Sequence, residues 1–408
     1  MMSVPCSDAG PAGSILTLNA GSSSLKFALF SEDSSGSLAA RIRGQVAGLG
    51  AKPSLVARDG AGVELAGQGC WERQPVSFAE VLQALLAFTG RHVGEGGLAA
   101  VGHRIVHGGA DHLAPARVTT ALLSQLDGLV RLDPLHMPHN IAPIKAIASA
   151  RPALPQVACF DTAFHATLPA VARRTGLPRA LEADGIRRYG FHGLSYEYVA
   201  GRLAEQAPSL AQARVVVAHL GAGASLCALQ QGRSIATTMG FSALDGLLMA
   251  TRCGTLDPGI ILHLGRSGRS FAEIEDMLYN HSGLLGVSDA SGDIRQLLAS
   301  DDPHAAEAIE LFTYRVAAEV AAMTCALGGL DGIVFTAGIG EHAPAIRAAI
   351  CARLDWLGIS LDPAANEAGA PLIGRHGQRV EVRVIATDEE AMIAHHTRAT
   401  LQRTGQPG

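Results

Sequence analysis

The chain has 408 residues, 48% of them apolar and 17% charged, which suits a large packed core and favours two domains at roughly 100–200 residues each. A net charge of −5 makes nucleic acid a poor partner. Seven scattered cysteines (Cys6, Cys70, Cys159, Cys227, Cys253, Cys325, Cys351) are odd in number and contain no C-x-x-C pair, so they fit reduced thiols in a cytoplasm and not a disulfide or zinc framework.

Residues 1–14 are expected to form a polar, flexible lead-in, without the basic start or apolar segment of a signal peptide. No apolar run reaches the roughly 20 residues that cross a bilayer, so no membrane contact is expected. Residues 15–30, I-L-T-L-N-A-G-S-S-S-L-K-F-A-L-F, set two apolar runs about a turn of small residues. This predicts a strand, a tight turn and a returning strand. Such a turn is either an ordinary hairpin or a place where backbone N–H groups and serine hydroxyls approach an anion. Asn19 at its entrance offers a neutral oxygen to a metal or its water, and Lys26 beyond it offers a positive charge to a phosphate. Residues 214–229, R-V-V-V-A-H-L-G-A-G-A-S-L-C-A-L, echo the pattern, and residues 333–341, I-V-F-T-A-G-I-G-E, give a third glycine turn launched from an apolar strand. Three such turns suggest phosphate loops around one cleft, and the first two also suggest an internal duplication.

Residues 31–76, rich in Ser, Gly and Ala, are expected to hold further strands and loops. Ser77 and Glu80 form a capping box, and Val81, Leu82, Leu85 and Leu86 give the helix behind it one apolar stripe. Residues 98–109, L-A-A-V-G-H-R-I-V-H-G-G, predict a strand on which Arg104 and Val106 share a face. That arrangement suits a carboxylate held by its oxygens with its methyl end packed, and equally an arginine in a surface salt bridge. Residues 132–138 lead into a helix with Pro138 near its start. The strand at 156–160 delivers Asp161 just past its C-terminal end, where α/β enzymes place chemistry and where an Asp also caps turns. Residues 187–193 combine two arginines, two aromatics and His192 framed by glycines, and Ser195 is expected to cap a helix from Tyr196 to about Leu203.

Residues 237–259 form a long loop carrying Arg252, and a loop of that length inside a compact domain usually has a functional reason. Ser270 and Glu273 make a second capping box. Asp293 and Arg295 suit either a ribose hydroxyl and a phosphate or other surface charges. Asp302 and Pro303 open the longest helix and Gly328 closes it. Residues 384–390, V-I-A-T-D-E-E, run from a strand into three acids, which either hold a divalent cation through water or begin the last helix. There is no G-x-x-x-x-G-K-[ST], no completed dinucleotide fingerprint and no protein-kinase signature.

The motifs N-A-G-S-S-S-L-K (19–26), G-H-R-I-V-H-G-G (102–109), D-P-L-H-M-P (133–138) and F-D-T-A-F-H (160–165) resemble those of acetate kinases. So do R-R-Y-G-F-H-G (187–193), H-L-G-A-G-A-S (219–225), T-R-C-G-T-L-D-P-G (251–259), F-T-A-G-I-G-E (335–341) and T-D-E-E (387–390), in order from residue 15 to about 395. The resemblance implies two duplicated actin-like (ribonuclease H-like) α/β domains with a nucleotide cleft between them, the fold shared with sugar kinases, heat-shock chaperones and actin. It implies a first domain over 1–163 joined by a C-terminal helix at about 390–408, and a second over 164–389. The implied activity is reversible, Mg²⁺-dependent phosphoryl transfer from ATP to acetate, with Mn²⁺ as an alternative metal, in a cytoplasmic homodimer whose other partners are its small-molecule substrates.

By the same resemblance, Asn19 and Glu389 position the metal and Lys26 contacts ATP phosphates. Arg104 holds the acetate carboxylate, Val106, Leu135 and Phe191 surround its methyl group, and His136 lies near. His192 and Arg252 stabilise the moving phosphoryl group, and Asp161 is the acidic catalytic residue. His219, Leu220, Gly221, Ala222 and Gly223 form one phosphate loop, and Gly338, Ile339, Gly340, Glu341 and His342 another. Asp293, Ile294 and Arg295 meet the adenosine side. Acetate is ionised at pH 7 and needs no general base, so Asp161 is expected to orient Arg252, the metal or the acetate. The departures are Ala222, His342 and Asp388 for Asn, Met137 for Asn, Leu194 and Tyr196 for Thr and His, and Ala243 for a Pro at the acetate pocket. The smaller Ala243 opens a rival reading as a propionate or butyrate kinase, since one methylene is worth only about 1–3 kcal/mol of discrimination. A rival of another class is a non-kinase ATPase module of the actin or chaperone type.

Overall fold

A computed structural model describes residues 13–404 except 22, 68–70, 72–76 and 95. The expected lead-in, Ser22 of the first turn, Cys6, Cys70 and part of the 31–76 region therefore lie outside the described residues. The chain forms two compact units, residues 1–163 with 388–408 and residues 164–387.

In the first unit β1 (Ser14–Ala20) and β2 (Ser24–Glu32) make the hairpin expected from the small-residue turn, pairing Asn19 with Lys26. β3 (Leu38–Ala47), β4 (Ser54–Asp59) and β5 (Glu64–Ala66) extend it as an antiparallel meander. β6 (Leu98–Ile105) adds parallel to β1, β8 (Gln156–Phe160) parallel to β6, and β7 (Ala116–Arg117) antiparallel to β8. The order is β5-β4-β3-β2-β1-β6-β8-β7. Leu16, Leu18, Leu25, Phe27 and Leu29 send one face into a core shared with Val81, Leu82 and Leu85 of the Phe78–Gly90 helix, whose Ser77–Glu80 capping box is present. Each such side chain contributes roughly 1.5–3 kcal/mol on burial. The last helix, Glu389–Thr404, packs on β1, β6 and β8. Gly102 makes that approach feasible. A Cβ there would lie 2.2 Å from Thr397 Oγ1 and 2.6 Å from Ile393 Cγ2. Two glutamates at the start of this helix are thereby delivered beside β1.

In the second unit β9 (Arg214–Leu220), β10 (Ala224–Gln230) and β11 (Arg233–Thr237) are antiparallel, while β12 (Gly332–Thr336) joins β9 and β13 (Glu381–Val384) joins β12 in parallel. The order β11-β10-β9-β12-β13 repeats β3-β2-β1-β6-β8 strand for strand and direction for direction. The duplication suspected from two similar hairpins thus extends to five strands per unit. The Gly193–Gln206 helix buries Tyr196, Val199 and Leu203 against β9. The longest helix, Pro303–Leu327, has Asp302 as N-cap and Gly328 in the left-handed conformation after it. The 238–257 stretch carries no helix or strand.

Candidate functional site

In the first unit, strand ends and a helix start converge on Arg104. The side chain comes off the penultimate residue of β6, and Asp161 follows β8 alongside. Asp161, fully buried, accepts from Arg104 Nε at 3.0 and 3.1 Å and from Nη2 at 2.5 Å. Asn19 Oδ1 accepts from Arg104 Nη1 at 3.0 Å, and Asn19 Nδ2 donates to Glu389 Oε2 at 3.2 Å. Glu389 also stands 3.8 Å from Arg104 Nε. Burial opposes the guanidinium's charge, but Asp161 and then Glu389 outweigh it and hold the group protonated above its usual range. Burial, and after it Glu389, push the Glu390 carboxyl up. Three hydrogen bonds to Asp161 thus fix the guanidinium of Arg104.

Around this centre Val106 is buried, and its N–H donates to Asn140 Oδ1 at 2.8 Å. Asn140 Nδ2 in turn donates to Ala20 O at 2.7 Å, so one amide ties the arginine strand to the first hairpin turn. Asn140 was not anticipated; its signal was a polar residue on the buried side of the Met137–Ala150 helix, between Met137 and Ile144. Leu135 is 38% exposed, and His136 Nδ1 lies 2.8 Å from Asp133 Oδ1. Lys26 is exposed and lines a cavity of about 720 Å³ with Arg43 and Glu390. Asp388 is held by Arg43 through both oxygens.

In the second unit His192 sits in the left-handed region (φ 58°) just before its helix, a conformation that costs a non-glycine residue about 1 kcal/mol or more. Its ring stacks on that of His219 at 4.1 Å, 15° from parallel. His192 Nδ1 is 2.8 Å from Ser225 Oγ, which is 2.5 Å from Tyr196 Oη. His219 Nδ1 is 2.8 Å from Ser195 Oγ, which accepts from Thr387 Oγ1 at 2.8 Å. Ser195 is therefore inside the helix and not its cap; the helix begins at Gly193. Nothing local in sequence announces these pairs, because 24 and 33 residues separate the partners.

His219 and Leu220 end β9, and Gly221, Ala222 and Gly223 make the β9–β10 turn, closed by the Gly221 N–H on Gly223 O at 3.1 Å. Gly338, Ile339, Gly340, Glu341 and His342 are not an open turn but a short helix, Ala337–His342. The fully buried Arg347 donates to Gly340 O and Glu341 O, both at 2.9 Å, so a cation closes that helix's C-terminal end. The Thr387 N–H donates to Glu341 Oε1 at 3.1 Å. Asp293 caps its helix and pairs with Arg295, whose bonds hold its carboxyl down at about 2; Ile294 is buried behind them. Arg295 and His342 line one cavity of about 570 Å³ with Leu298, Leu361 and Asn366. Arg252 donates to Ala243 O at 3.1 Å and lies 6.0 Å from the Tyr279 ring centroid. No helix among the described residues is long and apolar enough to cross a membrane.

The acetokinase family matches residues 14–395. An acetate kinase of Rhodopseudomonas palustris (strain ATCC BAA-98 / CGA009) is 51% identical over 389 residues, covering 94% of this chain and 97% of that protein. One of Rhizobium meliloti is 47% identical over 392 residues, covering 95% and 98%. Among solved structures, a propionate kinase from Francisella tularensis subsp. tularensis SCHU S4 superposes with a TM-score of 0.86 at 36% identity, covering 94% of this chain and 98% of that one. Porphyromonas gingivalis acetate kinase gives 0.84 at 32% identity, covering 95% and 99%. The mixed α/β architecture with two sheets is the fold of those structures.

Proposed function

The chain belongs to the acetokinase family, and from that premise we propose that it moves a phosphoryl group reversibly between ATP and acetate, giving acetyl phosphate and ADP. The observation that carries the reading is the state of Arg104. Of its five N–H donors, Asp161 and Asn19 engage three through Nε, Nη2 and Nη1, which leaves two on a side chain held rigid and 21% exposed. Two fixed donors on a planar fork match the two oxygens of a carboxylate. Val106 and Leu135 from this unit supply apolar surface for a methyl group.

The reaction is assigned to positioning and charge neutralisation, not to a base, because acetate arrives ionised. Asp161 then serves to keep Arg104 charged and aimed. His192 and Arg252 stabilise the transferring group, Lys26 with the 219–223 and 338–342 segments takes the phosphates, and the Arg295–His342 cavity takes the adenosine. A divalent cation fits this chemistry. Arg104, Asp161 and Glu389 together carry a charge of −1, one cation against two carboxylates, and ATP and acetate add more. Asn19 and Glu389 offer hard oxygen ligands, few enough to leave positions for water and phosphate, as Mg²⁺ prefers. Mg²⁺, or Mn²⁺ in its place, would be held by Asn19 and Glu389 and would supply charge neutralisation for the transferring group. We further propose a cytoplasmic homodimer. In support, Cys227, Cys253, Cys325 and Cys351 are thiols in no disulfide, and no residue of the Pro258–Arg266 helix is buried.

The test is a hydroxamate assay for acyl phosphate with acetate, propionate and butyrate. Acetate-dependent product is expected, falling roughly 10²–10³-fold in kcat/KM for Arg104→Ala and far less for Val106→Ala. A higher kcat/KM for propionate would favour the second reading, for which the buried Ala243 and the Francisella structure speak. ATP hydrolysis indifferent to all three acids would overturn the kinase assignment in favour of an ATPase module.

A further inference from the structure

We infer that Tyr196 is a positioning residue: through Ser225 it holds His192 in the tautomer that carries hydrogen on Nε2. The inference rests on the reading of His192 as a stabiliser of the phosphoryl group. Tyr196 is fully buried, and the partner its hydroxyl meets is Ser225 Oγ at 2.5 Å. Burial, and after it Cys227, push the phenol well above its ordinary range, so it keeps its proton and must donate it. The acceptor is Ser225 Oγ. A serine hydroxyl that accepts from the phenol has its own proton left for its second neighbour, His192 Nδ1 at 2.8 Å. Nδ1 is then an acceptor, and a neutral imidazole with Nδ1 as acceptor carries its hydrogen on Nε2. Nε2 is the ring nitrogen turned toward the β9–β10 turn, within 3.3 Å of where a Cβ on Gly223 would stand.

A second relay runs beside the first. Thr387 Oγ1 donates to Ser195 Oγ, which leaves the Ser195 proton for His219 Nδ1. Both stacked rings are therefore set the same way, with Nδ1 accepting. Two imidazolium rings with centroids 4.1 Å apart would repel, which disfavours charging both at once. In this arrangement His192 meets a phosphoryl oxygen as a fixed N–H dipole, ready before the substrate arrives.

The experiment uses full-length protein labelled with ¹⁵N in its histidine rings, read by long-range ¹H–¹⁵N spectra at pH 7.5. The His192 signals are identified by their loss in His192→Gln. The expected wild-type result is a protonated Nε2 and a bare Nδ1. Tyr196→Phe keeps the ring and its packing but frees Ser225 to accept. It should shift His192 toward the Nδ1–H form and lower kcat about 3- to 10-fold, the penalty of populating the competent form only part of the time. KM for acetate should stay within about twofold. Ser225→Ala leaves Nδ1 no serine hydroxyl to donate to, so the shift toward the Nδ1–H form should be absent there. A wild-type His192 protonated on Nδ1 overturns the proposal, as does a Tyr196→Phe protein with unchanged tautomer and unchanged kcat. A wild-type protein that makes no acyl phosphate overturns the reaction assigned above, while the ring spectrum still decides the relay.

Discussion

His103 and His165 take no part in the proposed chemistry, yet they tie the protein's stability to acidity. Both are buried, and burial pulls each down to about 4, against the partial support of Gln156 for one and the Phe191 carbonyl for the other. Unfolding returns them to about 6.5, so between pH 6.5 and 4 the unfolded chain binds more protons than the folded one. Stability is therefore fully present above pH 6.5 and is lost as pH falls through that window. At pH 5 the loss should be about 2 kcal/mol for each histidine as an upper figure. Urea midpoints at pH 7.5 and pH 5 would measure it, and a midpoint flat across that interval would contradict the burial argument. At this same scale Arg104 was legible as the cation near the end of an apolar strand, although β6 stops at Ile105 and Val106 lies just beyond the expected alternation. The duty of Asp161 was not, because the partner of a buried carboxylate depends on which strand lies next to which, and 57 residues separate the pair.

The long 238–257 stretch shows how an element without regular structure is made rigid. Residues 282–285 bind it through backbone bonds: Ser282 N–H to Thr251 O at 2.9 Å, Leu284 N–H to Met249 O at 2.8 Å, and Leu285 N–H to Ala250 O at 2.9 Å. Gly283 lets the two segments meet. It has φ +66°, and a Cβ there would lie 2.2 Å from Met249 O and 2.9 Å from both the N and O of Arg252. Backbone cannot yield as a flexible side chain does, so Gly283→Ala should cost roughly 2–4 kcal/mol and displace Arg252. Thermal melting and acetate kinetics are expected to show a lower Tm and a kcat reduced more than tenfold. Gly128→Ala, in a helix with open space around it, should instead stabilise by about 0.5–1 kcal/mol. A Gly283→Ala enzyme with wild-type kcat would show that this contact does not position Arg252. The loop's existence was legible from its length and Arg252, and the hairpins and capping boxes from local chemistry. The Ala337–His342 helix was read as a turn because two glycines in six residues hide a helix, which a buried arginine on the following helix closes.

The strand order β3-β2-β1-β6-β8, repeated as β11-β10-β9-β12-β13, shows that one topology serves both units, while the side chains on it have diverged into a carboxylate-gripping arginine in one and a stacked histidine pair in the other. The second unit also carries an apolar surface that stays exposed among the described residues. The Pro258–Arg266 helix follows Asp257 as N-cap with a proline at its first position, but none of its nine residues is buried. Ile260 is 44% and Leu262 57% exposed, and Phe271 at the start of the next helix is 88% exposed. Such a face gains nothing in water, and a stable dimer needs roughly 800 Å² from each partner. We expect a second copy to cover it. The wild-type protein should sediment near 84 kDa, twice 42.2 kDa. Ile260→Glu with Leu262→Glu would bury two unpaired charges in that contact and should shift the protein toward monomer at micromolar concentration. The fold should survive, because neither side chain contributes to the core. Sedimentation equilibrium decides the matter: a wild-type monomer, or a dimer indifferent to both glutamates, would put the interface elsewhere or remove it.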